Sequence, residues 1–570
     1  MHYLALATDY DGTLTRDGVV DAATIGALRR LRASGRQLIL VTGRQLDDLL
    51  RVFPDVALFD RVVAENGAVL YRPDTKEAQT LGEAPPPAFV ETLHRRGVEP
   101  LSMGRVIVAT WTPHETALLD TIRDLGLEHQ VIFNKGAVMV LPPGVNKASG
   151  LHAALQELRL SEHNVVAVGD AENDHAFLSA CECSAAVANA LPFVKERADL
   201  VLDRDHGAGV AELIDQLLKD DLAEVDPLLE RRSILLGTRA SGQEVRLAPH
   251  SGGLLIAGPS GGGKSTMMIG ILERLAEQVY QFCLVDPEGD YAEIENGTVV
   301  GDSQRPPSLQ EVFQLLDRPD QQVVVNLLGI QLTDRPAFFG SLLTRLLDLR
   351  TKKGRPHWIV ADEAHHLLPA SGYPAAQTLP QETGGIALLT VHPERVAPAA
   401  LALVDIVVAL GDTAAKTLND FAGALGIERP GGGQVTLEAG EALVWVRHAQ
   451  EPPFRMRAAP SRADRRRHVR KYAEGELGED KSFYFRGPEG RLNLRAQNLQ
   501  LFAQIAEGLD DATWDYHRRQ GDYSRWFRAA IKDEELAADA EAVERDQSLS
   551  AAESRQRIRA AIERRYTLPA

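Results

Sequence analysis

The chain has 570 residues, 44% hydrophobic and 25% charged. That composition excludes a wholly disordered chain and supplies several cores, with about three to five domains expected at roughly 100–200 residues each. Net charge is −18, and 461–570 contribute 21 Lys/Arg against 20 Asp/Glu, so the acidity lies in the first 460 residues. Such a chain is a poor non-specific binder of nucleic acid, and any polyanion contact has to use a local patch. Arg465-Arg466-Arg467-His468 with Arg470 and Lys471 is the obvious one, though it reads more naturally as a solvated linker or helix face. No run reaches the roughly 18 apolar residues of a membrane helix. The densest, Leu401–Leu410, carries Asp405 in its middle. The first residues lack a secretory pattern, and three cysteines make no disulfide framework. The expectation is a cytoplasmic protein without a membrane partner.

Strand–helix alternation begins at once. His2–Thr8 reads as a buried strand, Ala22–Ala33 as a helix, Gln37–Thr42 as a second strand and Val165–Gly169 as another, which argues for parallel α/β architecture. The first strand runs into Asp9-Tyr10-Asp11-Gly12-Thr13-Leu14. Carboxylates at i and i+2 of an extended segment point the same way. They repel unless a cation such as Mg²⁺ neutralises them, and Gly12 permits a sharp turn after the strand. Such a pair can divide labour, one carboxylate attacking phosphorus and the other moving the leaving-group proton. Alone, it also fits a plain Asx turn. Three further segments join it: Leu40-Val41-Thr42-Gly43-Arg44, Lys147 after Pro142-Pro143-Gly144, and Gly169-Asp170-Ala171-Glu172-Asn173-Asp174. In a parallel sheet the carboxyl ends of the strands share one edge, where ligands bind.

These four motifs, in this order over about residues 1–215, resemble the haloacid dehalogenase (HAD) superfamily of phosphatases. Ala186-Val187-Ala188-Asn189-Ala190 and Ala198-Asp199 look like its Cof-type branch. The resemblance implies that Asp9 is the nucleophile and forms an aspartyl phosphate. Asp11 would protonate the leaving alcohol and then activate water, while Thr42 and Lys147 hold the phosphoryl oxygens. Asp170, Asp9 and the carbonyl of Asp11 would bind Mg²⁺, supported by Asn173 and Asp174. It also implies a cap over about 80–145, with a strand at Arg105–Thr110, a helix at His114–Leu125 and a hairpin of Gln130–Phe133 with Ala137–Leu141. Caps of related phosphatases close over small phosphorylated metabolites, including phosphoglycolate and sugar phosphates, and a small cap leaves room for a larger ester. Glu65-Asn66-Gly67 resembles a core loop of the branch but reads more naturally as a simple turn. Cys181 and Cys183 lack partners at metal-ligand spacing and read as buried small residues.

Beyond Leu218 the alternation fades into Lys219-Asp220-Asp221 and then restarts. Gly253–Ala257, Phe282–Asp286, Gln322–Leu327, His357–Ala361, Ile386–Thr390 and Asp405–Leu410 are strand candidates of a second α/β domain. The apolar Leu254–Ala257 precedes Gly258-Pro259-Ser260-Gly261-Gly262-Gly263-Lys264-Ser265-Thr266, and a helical pattern follows. This fits the phosphate-binding G-x-x-x-x-G-K-[ST] loop in its strand-then-helix context. The glycines let backbone N–H groups wrap phosphates, and the helix N-terminus adds partial positive charge. Lys264 reaches the terminal phosphates, and Ser265 offers an oxygen to Mg²⁺. Asp362 at the end of a second apolar strand can hold the metal's hydration shell, and Glu363 can polarise the attacking water. With Asp286-Pro287-Glu288-Gly289-Asp290-Tyr291, these motifs resemble the HerA/FtsK division of ring-forming ATPases, motors that thread DNA or sometimes protein through a hexamer. The polar sensor usual there is replaced in Thr390-Val391-His392-Pro393, so His392 is the candidate γ-phosphate sensor. Arg395 and Arg447 are candidates for an arginine donated to a neighbour's site.

After Pro452-Pro453 and Pro460 the pattern turns mostly helical. Leu501, Phe502, Ile505, Ala506 and Leu509 share one helix face, and Ser550-Ala551-Ala552-Glu553 is a capping box. Trp514, Trp526, Phe527, Tyr523, Phe483, Tyr484 and Phe485 lie among arginines. That pattern serves single-stranded nucleic acid by stacking, but reads more naturally as core plus a solvated face.

The expected fold is a multidomain α/β chain. A HAD Rossmann-like core over 1–218 carries a small α+β cap at about 80–145, and a linker spans 219–231. A RecA-like P-loop ATPase domain follows over 232–450, then a linker over 451–462 and a helical C-terminal domain over 463–570. The leading functional expectation is a Mg²⁺-dependent phosphatase joined to a hexameric ATPase that acts on nucleic acid. Its substrate would be a phosphorylated small molecule or a nucleic-acid end, with DNA through the ring pore. The alternatives are a small-metabolite phosphatase whose second domain senses ATP, and an ATP-dependent homo-oligomeric scaffold.

Overall fold

The computed structural model describes all residues except Met1, 226–228, 250–251, 292–293, 295–296, 371–383, 432–434, 450, 462–476, 478–481, 489, 532 and 567–570. The basic run 465–471 lies outside the described residues. The chain forms two compact units, 1–459 and 460–570.

The first sheet of the larger unit has eight strands. Leu200–Val201, Cys183–Ala186, Val165–Gly169, Ala5–Thr8, Gln37–Val41 and Arg61–Ala64 lie side by side in parallel. Val69–Arg72 and Glu77–Thr80 finish the sheet antiparallel. Ala5–Thr8 is wholly buried, as an apolar strand covered on both faces must be. Its register sets Thr8 beside Val168 on one side and Leu40 on the other. Asp9, Asp170 and Thr42, each within two residues of these positions, therefore leave the sheet at one edge. The helix Ala22–Ala33 starts where Asp21 accepts the N–H of Thr24. The helix Lys147–Leu158 starts from a capping box of Asn146 and Ser149, which places Lys147 in its first turn.

The cap is a four-stranded antiparallel sheet in the order Ser102–Met103, Val108–Trp111, Ala137–Leu141, Gln130–Asn134. Two helices, Pro87–Arg95 and Glu115–Asp124, cover one face. Phe89, Leu93, Val108, Leu118, Val138 and Val140 pack between these layers. Alternation along the strands sends Ala109, Trp111, Ala137 and Met139 to the opposite face.

The second sheet has 11 strands. From Val404–Leu410 through Gly253–Ala257, Ile386–Thr390, Trp358–Ala361, Phe282–Asp286 and Gln322–Asn326 to Gly297–Val300 they run parallel. Glu441–Val446, Phe454–Ala458, Ile234–Thr238 and Glu244–Leu247 extend it antiparallel. Two segments expected as linkers are therefore structured in part. Phe454–Ala458, inside 451–462, is a sheet strand whose Met456 is buried while Arg455 and Arg457 face outward. The helix His206–Asp220 carries regular structure two residues past 218.

Among its described residues the smaller unit pairs Phe483–Phe485 with Leu494–Ala496, and its other regular elements are helices. Phe483, Phe485, Phe502, Trp514, Tyr523, Trp526 and Phe527 form its core, so these aromatics are packing rather than an open stacking platform. No helix among the described residues is long and apolar enough to cross a membrane.

Candidate functional site

The N-terminal carboxylates converge at the sheet edge. Asp9, Asp170 and Asp174 are buried, and one oxygen from each lies within 4.8 Å of the others. Lys147 Nζ sits between two of them, 2.5 Å from Asp9 Oδ1 and 2.5 Å from Asp174 Oδ1. The second oxygen of Asp174 accepts the N–H groups of Asp170 (2.8 Å) and Ala171 (2.9 Å), which shapes the turn after Gly169. Thr13 Oγ1 donates to Asp170 Oδ1 at 3.1 Å. Gly12 (φ 86°) makes the turn between the two halves of the site, and a Cβ there would lie 2.4 Å from Asp170 Oδ2. No other residue fits.

Burial, followed by the neighbouring Asp174 charge, pushes the Asp9 carboxyl well above the usual carboxylate range, with Lys147 opposing. Burial likewise raises Asp170, against the pull of an ammonium from the cap, Lys135. For Lys147, burial disfavours the charge, yet the Asp174 and Asp9 carboxylates outweigh it and its pKa rises. The site thus holds more negative charge than its cations neutralise. An all-carboxylate set of this kind suits a hard divalent ion such as Mg²⁺.

Asp11, two residues on, is half-exposed and faces Arg44. The guanidinium donates from Nε to Asp11 Oδ2 (2.7 Å) and from Nη2 to Oδ1 (2.6 Å), and a third nitrogen bonds Asp48 at 2.7 Å. Thr42 is buried at the neighbouring strand end, its Oγ1 accepting the N–H of Arg44 at 3.1 Å. Asn173 bonds Asn66 at 2.8 Å. Glu65 is more than a turn residue. Its buried carboxylate accepts the N–H groups of Arg105 (2.9 Å), Val106 (2.9 Å) and Ile107 (3.1 Å), fastening the cap to the core loop.

The second set of motifs meets at the edge of the other parallel sheet. Gly258, Gly261, Gly262 and Gly263 form a turn between the buried Gly253–Ala257 and the helix Lys264–Glu277. Lys264, Ser265 and Thr266 are the first residues of that helix. Lys264 is buried, with Nζ 3.3 Å from the Pro259 carbonyl. Asp286 accepts the N–H groups of Glu288, Gly289, Asp290 and Tyr291. That wrapped turn brings Asp290 to Ser265 (3.2 Å). Asp362 ends its strand buried, and burial pushes its carboxyl up to about 7. Glu363, at φ 44°, lies 3.3 Å from His365, whose Nδ1 also bonds Thr390 Oγ1 at 3.0 Å. His392 bonds Glu394 at 3.1 Å, and its ring meets His365 edge-on at 5.7 Å. Arg447 donates from Nη1 to the carbonyls of Ala402 and Val404, at the strand end opposite the glycine loop. The three cysteines are buried thiols.

A parallel α/β core, a cap inserted after the fifth strand of its sheet, and buried aspartates around a lysine at the strand ends define a capped hydrolase of phosphate esters. The model of the haloacid dehalogenase-like hydrolases matches residues 6–96 and 112–214. The phosphoglycolate phosphatase of Methanothermobacter thermautotrophicus is 33% identical over 220 residues, 37% of this chain and 96% of that protein. Phosphoglycolate phosphatase 2 of Saccharolobus solfataricus is 28% identical over 232 residues, 39% of this chain and 96% of that protein. A haloacid dehalogenase-like hydrolase structure from Bacteroides thetaiotaomicron matches with a TM-score of 0.34 at 19% identity, covering 38% of this chain and 99% of that one. Through its N-terminal region the chain belongs to the haloacid dehalogenase-like hydrolases, and that region is a phosphatase domain of the superfamily.

Proposed function

We propose that the N-terminal domain hydrolyses small phosphomonoesters, 2-phosphoglycolate first among them, through a phosphorylated Asp9. The observation that carries this is the buried group of Asp9, Asp170 and Asp174 around Lys147, joined to the similarity with phosphoglycolate phosphatases. An Asp9 oxygen attacks phosphorus, the ester P–O bond breaks, and the Asp11 carboxyl gives its proton to the leaving alkoxide. Asp11 then takes a proton from the water that attacks the aspartyl phosphate, which releases phosphate and free Asp9. Asp11 turns away from Arg44 to do this, and Arg44 receives it again between steps. Lys147 and Thr42 hold phosphoryl oxygens in line with Asp9. Asp9, Asp170 and the Asp11 carbonyl, with Asp174 behind them, would hold Mg²⁺, which when bound would supply positive charge against the phosphoryl oxygens. Phosphate release from 2-phosphoglycolate should require Mg²⁺ and fall at least about a thousandfold in Asp9→Asn. Undiminished turnover by that variant would remove the proposal.

We further propose that the second α/β domain binds ATP with Mg²⁺ at Gly258–Thr266. Lys264 and the N-terminal N–H groups of its helix would meet the phosphates. Ser265 and Asp362 are the candidate metal contacts, and Glu363, steered by His365, the group that orients water. His392 is the candidate reporter of the terminal phosphate. Calorimetric titration should show ATP binding that disappears in Lys264→Ala, and a flat titration of the native chain would refute this. The resemblance to ring-forming ATPases extends the proposal to a homo-hexamer that handles DNA. Native mass with and without ATP decides it, and a monomer in both conditions counts against the ring.

A further inference from the structure

Lys135 stands at the tip of the cap hairpin, between Gln130–Asn134 and Ala137–Leu141, with a left-handed backbone at φ 47°. That turn projects the side chain out of the cap sheet toward the core. Its Nζ lies 2.6 Å from Asp170 Oδ2, and a Cβ built on Gly12 would lie 2.8 Å from the same nitrogen. The ammonium therefore lies against the turn at Gly12, directly after Asp11. Among the described residues, the ion pairs of the four site aspartates come from two core residues, Lys147 and Arg44, and from this one cap residue.

The three cations differ in what they can release. Lys147 is buried between two carboxylates. Arg44 is divided between Asp11 and Asp48. Lys135 holds one oxygen of one carboxylate, and its side chain is 47% exposed. Beside the site, a cleft of about 650 Å³ opens between core and cap, lined by Gly43, Gln45, Ser102, Thr110, Trp111 and Met139 among others. Its own arginine, Arg51, is paired with Asp48. A leaving group that extends from phosphorus toward the cap starts beside Asp170, where Lys135 Nζ is the cap cation at hand.

We propose that Lys135 is the specificity-determining residue of the phosphatase site. Once Asp170 is engaged by the divalent ion, like charge drives the ammonium off that carboxylate. It then pairs with a carboxylate carried by the leaving group, so the site selects phosphate esters of small hydroxy acids over esters of neutral alcohols. Lys135 acts on binding and cap closure, not on the bonds that break. This inference rests on the phosphatase reading above.

The test uses the full chain with Lys135→Met and Lys135→Arg, and compares 2-phosphoglycolate with ethyl phosphate. The methionine variant should lose about 10- to 100-fold in kcat/KM on 2-phosphoglycolate, mainly through KM, and less than about threefold on ethyl phosphate. The arginine variant should keep most of the preference. Without any ester, Mg²⁺ titrated into Lys135→Met should bind several-fold more tightly than to the native protein, because no ammonium competes for Asp170. Equal losses on both esters, or an unmoved Mg²⁺ affinity, would overturn the role of Lys135 alone. A native protein inert toward both esters would instead overturn the phosphatase reading on which it rests.

Discussion

Lys147 is the residue whose removal should cost the most at this site. It is 2% exposed, Asp9 is 4% and Asp174 0%, so no water takes over when the ammonium goes. Lys147→Met leaves two buried carboxylates facing one another across the vacated space. Breaking a buried ion pair by removing one partner costs about 3–5 kcal/mol. For a domain of roughly 200 residues that is about 6–20 °C in melting temperature. Asp9, already pushed up by burial and by Asp174, should respond by holding its proton, so the loss should shrink as pH falls. Mg²⁺ offers replacement charge, and an ion present at 100 times its Kd returns about 2.7 kcal/mol. The assay is hydrogen–deuterium exchange of peptides spanning Val165–Gly169, which reports this domain alone, alongside thermal melting with and without Mg²⁺. The expected result is a destabilised variant that Mg²⁺ largely rescues. Equal protection and equal melting of variant and native protein without the ion would refute the reasoning.

Two other substitutions test separate parts of the account. Glu65→Gln replaces a carboxylate that accepts three backbone N–H groups with a single acceptor and a clashing donor. It should cost roughly 2–4 kcal/mol locally and be read as faster exchange and easier proteolysis at 102–111; unchanged protection there would show that the cap is held elsewhere. Asp362, with a folded-state pKa raised to about 7, binds its proton more tightly folded than unfolded. It therefore favours folding least above about pH 7, and stability from this group returns as pH falls through 7 toward 4, by roughly 4 kcal/mol at most. Asp362→Asn should stabilise the metal-free second domain at pH 8 and flatten that slope, and denaturant titrations at pH 5 and pH 8 measure it. An unaltered slope would contradict the assignment.

Much of the first site was legible because a parallel sheet collects its strand ends. Asp9, Thr42 and Asp170 each follow an apolar strand, and adjacency of those strands places them together. Lys147 was legible only through the motif order, since its position depends on a helix packing back on the sheet. Lys135 was invisible, because nothing in a hairpin turn says which way a whole cap leans. Arg44 stood in the quoted motif without a role, as its partner Asp11 lies 33 residues away. Glu65 read as a turn for the same reason, its partners lying 40 residues on. Among strands, continuous apolar runs such as Gly253–Ala257 were clear. Glu244–Leu247 was missed, and Phe454–Ala458 was hidden by the flanking prolines, because their outward positions are charged. The aromatics of the smaller unit were interpretable as core because their number fits one packed cluster.

The central claim is that Asp9 carries the phosphoryl group during turnover. Mixing the chain with excess ³²P-labelled ester and Mg²⁺, quenching in acid within one turnover and mapping the label by peptide mass spectrometry measures this directly. An alkali-labile phosphate should appear on the peptide containing Asp9 and none in Asp9→Asn. Phosphate released by the native chain with that peptide unlabelled at every quench time would contradict it.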